Sequence, residues 1–139
     1  MPTLHVELIE DVPSPIPAEE LRLVLQRTFD EWGSSEAMVE ILLTTDERMR
    51  VLNHQHRGKD TTTDVLSLPI TIDTEHGRVV PESDQPSHLG TIVISLEQAR
   101  RQVGHFGATT PAEILGLAGH GLRHLLGHAH DQEGRWQTP

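Results

Sequence analysis

Three histidines toward the C-terminal end carry the strongest chemical signal in this chain. His120 and His124 are four residues apart. On a helix that spacing sets both imidazoles on one face, about 5–6 Å apart at Cβ, close enough to share one divalent metal. Gly127 can end the helix in a left-handed turn, so that His130, three residues later, swings back as a third ligand. Three protein ligands leave a fourth position for water, the arrangement of a catalytic zinc rather than a structural one. The expected cofactor is therefore one Zn2+ per chain, although affinity order alone would favour copper in an imidazole site.

Competing readings come from the same residues. The chain has 10 histidines, and His124 and His128 form a second pair at the same spacing, so His128 competes with His130 for the metal. Gly121, Leu122 and Arg123 lie between His120 and His124, where an H-E-x-x-H zinc protease needs its general-base Glu, so a peptidase is disfavoured. Gly116, Gly119 and Gly121 interrupt the histidine helix, each at a cost of about 1 kcal/mol relative to Ala. Either something binds against the helix backbone, or the helix packs closely on a sheet.

The elements that must position these residues follow from periodicity. Leu4, Val6 and Leu8 alternate with polar residues as a first strand. A Pro-rich turn leads into a helix from about Ala18 to Trp32, with Leu21, Val24, Leu25, Phe29 and Trp32 on one face and Gly33 as its stop. Met38 to Leu43 reads as a buried strand, and the capping-box spacing of Thr44 and Glu47 opens a short helix from Asp46 to about Asn53. Asp64 to Ile70 reads as a strand with Pro69 at an edge, Thr74 to Ser87 as a mobile loop, and Gly90 to Ile94 as a fourth strand. Ser95 and Gln98 cap a helix that stops at Gly104. The histidine helix starts with Thr110 as N-cap, Pro111 at its first position and Glu113 completing the box. Four short strands with intervening helices make a single α/β or α+β layered domain over residues 1–139.

Composition bounds the function. Hydrophobic residues are 35% and charged residues 23%, as in ordinary globular proteins, and no apolar run approaches the roughly 20 residues of a membrane span. Met1 to Glu10 lacks the basic and apolar segments of a secretory signal, which with the absence of cysteine makes the cytoplasm the expected compartment. The formal charge of −10 argues against a broad basic grip on nucleic acid. Phe29, Phe106, Trp32 and Trp136 are the only Phe or Trp residues and Tyr is absent, so a base-stacking platform is not expected.

The segment His120-Gly-Leu-Arg-His124-Leu-Leu-Gly127-His-Ala-His130 resembles the H-G-x-L-H-L-x-G-Y-D-H signature of the YbeY family. Upstream, Leu52-Asn53, Arg57-Gly-Lys-Asp60 and Thr63-Asp64-Val65-Leu66-Ser67-Leu68-Pro69 are similar to that family's L-N-x-x-[YF]-R-x-K-D-x-P-T-D-V-L-S-F-P. Gly90-Thr91-Ile92-Val93-Ile94-Ser95 resembles its G-D-I-x-I-S strand. The resemblance implies a zincin-like α+β fold, with about four strands in a mixed sheet packed with helices and the metal site on the C-terminal histidine helix. It implies a zinc-dependent, single-strand-specific endoribonuclease acting in rRNA maturation (the 16S 3′ end) and ribosome quality control, with RNA and the ribosome or its proteins as partners. It assigns the metal to His120, His124 and His130 and the important arginine to Arg57. This chain departs from the pattern at Arg123, His128, Ala129 and Thr91, and at His56, Thr62 and Leu68, none of which removes a ligand. The chain ends at Pro139, so the helix that commonly follows the motif is expected to be short or absent.

Within that reading, Arg57 and His120 are the candidate catalytic residues. The planar Arg57 fork suits two phosphate oxygens and stays charged, and Lys59 adds a point charge. Asp64 is expected to cap or hydrogen-bond the backbone where its strand begins rather than act as a base, with a supporting role behind a metal ligand left open. His54, His56, His88 and His105 are expected to be surface or loop residues. The attacking oxygen is open between water and the RNA 2′-hydroxyl. Two other classes compete: a non-catalytic ribosome-assembly or RNA-binding factor with a structural metal, and a hydrolase of another ester or peptide bond.

Overall fold

A computed structural model describes residues 3–32, 36–57, 65–69, 87–126, 129–130 and 136–137. Strand β1 (Leu4–Glu10) leads through helix α1 (Ala18–Trp32) to β2 (Ala37–Thr44), and helix α2 (Asp46–Arg57) follows. Strands β3 (Val65–Pro69) and β4 (Ser87–Ser95) come next, then helices α3 (Leu96–Arg101) and α4 (Thr110–Leu125). Two short strands, β5 (Ala129–His130) and β6 (Trp136–Gln137), end the described chain. The expected strand at Asp64 to Ile70 is seen over Val65–Pro69, and the loop read at Thr74 to Ser87 lies outside the described residues except for Ser87, which opens β4.

The four main strands form one mixed sheet in the order β1-β2-β4-β3. β1 and β2 are parallel, β2 and β4 are parallel, and β3 runs antiparallel to β4. Pro69, which cannot donate to a ladder, thus ends an edge strand as its chemistry requires. One irregularity marks the β2–β4 pairing: Met38 faces His88 and Val39 faces Gly90, so Leu89 is an extra residue. Gly90 takes φ +144° there, a value L side chains rarely adopt.

Strand pleating sorts the core into two layers. Val39, Ile41, Leu43, Ile92 and Ile94 point to one face, where Leu21, Leu25 and Phe29 of α1 and Ile114, Leu117 and Leu122 of α4 cover them. Leu66 and Val93 point to the other face and meet Met49 and Leu52 of α2. The histidine helix therefore lies beside α1 on one side of the sheet and α2 on the other, an α+β arrangement of three layers.

Helix caps differ from the sequence reading by one residue in two places, although α2 begins at Asp46 as read. In α2 the cap is Thr45, whose Oγ1 accepts the Arg48 N–H at 3.2 Å, because Thr44 is the last residue of β2 and its hydroxyl donates to Asp11 Oδ2 at 2.8 Å. In α4 the cap is Thr109, whose side chain accepts the Ala112 N–H at 3.2 Å, not Thr110. Glu113 is then one position too deep for a capping box, and its carboxylate is used elsewhere. The Ser95 cap of α3 is as read, accepting from Gln98 N–H. α3 ends at Arg101, and the chain turns through Gly104, at φ +105°. α2 runs on to Arg57 rather than ending near Asn53, since the polar residues from His54 onward carry no apolar period to announce it.

Candidate functional site

Helix α4 is fastened at both ends of its inward face. Near its start, the wholly buried Glu113 carboxylate accepts the N–H of Phe106 at 2.7 Å, that of Gly107 at 3.2 Å and the Gln102 amide at 2.8 Å. Burial pushes the Glu113 carboxyl up, but these hydrogen bonds and the nearby His105 outweigh it and hold the group below its ordinary value. Further along, Gly121 lies against the sheet: a Cβ there would stand 2.7 Å from Ile92 Cγ2, and Ser67 Oγ donates to the Gly121 carbonyl at 3.2 Å.

These contacts answer the question the helix glycines raised. Gly121 permits close approach of α4 to β4 and β3, and Gly116 permits close approach of Phe106, whose Cβ would be 2.3 Å from an added Cβ. Gly119 has only Thr28 Oγ1 nearby, at 3.7 Å from such a Cβ, so packing does not demand glycine there. Close packing thus explains two of the three.

One turn apart on the outer side of this clamped helix, His120 and His124 converge. Their Nε2 atoms are 3.1 Å apart, with ring centroids at 4.8 Å and planes inclined by 69°. Two nitrogens bound tetrahedrally to one zinc at about 2.0–2.1 Å stand about 3.3 Å from each other, so the pair fits a shared metal with little movement. Among the described residues no group of three metal-ligating side chains is assembled. His130 lies in β5, paired with Trp136 of β6, but its side chain, like those of His128 and of Arg57 at the end of α2, lies outside the described residues. Lys59, Asp64 and Gly127 lie outside them as well.

Other histidines divide between expectation and correction. His54 and His105 are exposed, as expected. His88 instead sits within β4, its side chain 18% exposed and 3.7 Å from the Glu40 carboxylate, which also accepts from Thr91 Oγ1 at 3.0 Å. Thr91, standing where the resemblance has an acidic residue, faces the neighbouring strand rather than the histidine pair.

Sequence reasoning missed a ring contact beside the pair. Phe106 is 39% exposed, and its ring lies 5.6 Å from that of His120 and 4.8 Å from that of His105, centroid to centroid. Beyond it, an open groove of about 410 Å³ runs between α1 and α4, bordered by Thr28, Glu31, Gly116, His120 and Arg123. Nothing in the spacing of Phe106 announced this, because it depends on the turn that Glu113 holds.

A mixed four-stranded sheet with a helix laid against it that carries a convergent histidine pair defines an α+β protein. In fold it is similar to the solution structure of a protein from Thermotoga maritima, with a TM-score of 0.59 and 23% identity over 94% of this chain and 79% of that one. The profile of the family described as Endoribonuclease YbeY matches residues 10–138. A protein named Endoribonuclease YbeY from Thermus thermophilus is 44% identical over 117 residues, covering 84% of this chain and 79% of its own. Another of that name from Geobacillus kaustophilus is 33% identical over 136 residues, covering 94% and 86%. The chain belongs to the YbeY endoribonuclease family.

Proposed function

We propose that this protein is a zinc-dependent endoribonuclease that cleaves phosphodiester bonds in single-stranded RNA, acting in rRNA maturation and ribosome quality control in the cytoplasm. Family membership supports the RNA cleavage, and the observation that carries the metal reading is the 3.1 Å approach of the His120 and His124 Nε2 atoms. His120, His124 and His130 would hold the zinc. When bound, zinc supplies Lewis acidity, polarising a phosphoryl oxygen or lowering the pKa of water to about 7.

The rest is done by the chain itself. Ser67 and the Gly121 contact fix the height of α4 over the sheet, which fixes where both imidazoles stand. Arg57 would present two N–H groups to the scissile phosphate and remain charged throughout, with Lys59 adding positive charge. His120 has a double place, as ligand and as the imidazole that borders the groove where a strand would lie.

Metal analysis paired with a single-stranded RNA cleavage assay tests this directly. Wild-type protein should hold about one equivalent of zinc and cleave RNA, whereas His120→Ala and His124→Ala should lose both. Arg57→Ala should keep its zinc and lose cleavage by about a hundredfold or more, as expected for loss of a charge-stabilising donor. Full zinc in the histidine variants would remove the metal assignment. RNA binding without cleavage by the zinc-loaded wild type would instead make it a non-catalytic assembly factor. Cyclic phosphate among the products would identify the RNA 2′-hydroxyl as the attacking oxygen.

A further inference from the structure

We propose that Phe106 is a stacking platform for one unpaired base of the substrate strand, seated in the groove between α1 and α4 beside His120. This inference rests on the ribonuclease reading and names how that site grips its substrate.

Phe106 is an aromatic side chain that the fold leaves 39% exposed, yet it does not leave it loose. Its backbone N–H is held at 2.7 Å by a carboxylate that is 0% exposed, and the turn behind it is held by the same group. Its Cβ fits against α4 only because residue 116 is glycine. A fully buried carboxylate and a helix-interior glycine are both unfavourable in isolation. Here they combine to fix an apolar ring that remains half in solvent.

The place where the ring is fixed gives it a use. His105, Phe106, His120 and His124 form a row of rings with successive centroid separations of 4.8, 5.6 and 4.8 Å. A base laid on the open face of Phe106 would therefore stand next to the histidine pair, with its sugar–phosphate able to reach it. The Thr28 hydroxyl, the Glu31 carboxylate and Arg123 border the same groove and can meet the polar edge of a base. Aromatic–base stacking tolerates any base, since each has a π-face, but it requires a face not already covered. In a duplex both faces are covered. One ring thus contributes to single-strand preference without a broad basic surface, which a charge of −10 disfavours.

The test compares wild type, Phe106→Leu and Phe106→Trp as full-length zinc-loaded proteins. Leucine keeps an apolar side chain against Gly116 but removes the π-face; tryptophan restores one. KM for single-stranded RNA should rise about tenfold or more in Phe106→Leu, with kcat and zinc content unchanged, and return toward wild type in Phe106→Trp. A second readout needs no turnover: binding of a short single-stranded oligodeoxynucleotide, with an abasic site moved along it, followed by fluorescence anisotropy. In wild type one abasic position should weaken binding by a similar factor, and in Phe106→Leu that position should cost nothing further. An unchanged KM in a folded Phe106→Leu, or a wild-type scan in which no abasic position matters, overturns the inference while RNA cleavage still stands. Should Phe106→Leu fail to fold, the wild-type abasic scan and the quenching of the Phe106→Trp indole by bound strand decide the matter. A wild type that neither binds nor cleaves RNA overturns this inference and the ribonuclease reading together.

Discussion

At the scale of single residues, Glu113 shows how a buried side chain fixes an exposed one. Its carboxylate satisfies two backbone donors and an amide, so Glu113→Ala would leave those donors without their acceptor inside the protein. That loss should cost about 3 kcal/mol in denaturant unfolding. The carboxyl's pKa is lowered from 4.5 in the folded state, so the unfolded chain binds its proton first as pH falls. Its stabilising contribution is complete above the ordinary carboxylate range and is lost as pH drops through the lower, folded value. Glu113→Gln, measured by unfolding between neutral and acid pH, should therefore show a shallower acid loss of stability than wild type. A parallel pair of curves would refute this role.

Helix α4 is the element on which site and core meet, and its glycines separate the two demands. Gly121→Ala drives a Cβ toward Ile92, a β-branched side chain fixed in a central strand, and should destabilise by about 1–3 kcal/mol. Gly119→Ala meets only ordinary contact with Thr28, and the helix gains about 0.5–1 kcal/mol of propensity. The two variants, two residues apart on one helix, should shift the unfolding midpoint in opposite directions. A shift in the same direction would mean that the helix does not sit on the sheet at this height. The start of α2 offers a comparable lesson: Asp46 accepts from Ser95 Oγ at 2.6 Å and pairs with Arg101 at 2.7 Å, joining the first turn of α2 to the end of β4 and the last turn of α3. Burial raises the Asp46 carboxyl, and the Ser95 and Arg101 hydrogen bonds with the Arg101 and Arg50 charges bring it below its usual range.

For the molecule as a whole, three layers and a strongly acidic balance set the terms of RNA recognition. No helix among the described residues is long and apolar enough to cross a membrane. With 11 Lys and Arg against 21 Asp and Glu, the overall charge opposes a broad electrostatic grip and favours binding through a few placed groups. If about three cations contact phosphate, the logarithm of single-strand affinity should fall against the logarithm of salt concentration with a slope of about −2. Titrations from low to physiological salt would measure it, and a much steeper slope would show that an extended charged surface does the binding.

Much of this was legible along the chain because it depends on neighbours in sequence. The alternation of Leu4, Val6 and Leu8 and the spacing of Leu21, Leu25 and Phe29 report local geometry, and strand β1 and helix α1 formed where those patterns lie. So did the one-turn spacing of His120 and His124, since four residues on a helix always share a face. The helix caps were harder: in each Thr-Thr doublet, the strand or turn beside it decided which hydroxyl faced the helix, as Thr44 turning to Asp11 shows. Sheet order was beyond reach, because the strand that follows β2 in sequence ends at an edge, and β4 inserts between them. Ser67 on Gly121, Glu113 beneath Phe106 and Phe106 beside His120 are meetings of distant or differently turned segments. Spacing placed the two imidazoles together, but the depth at which α4 seats on the sheet and the ring that stands next to them came from packing. Close packing is a property of three-dimensional neighbours, and no period in a one-dimensional string encodes it.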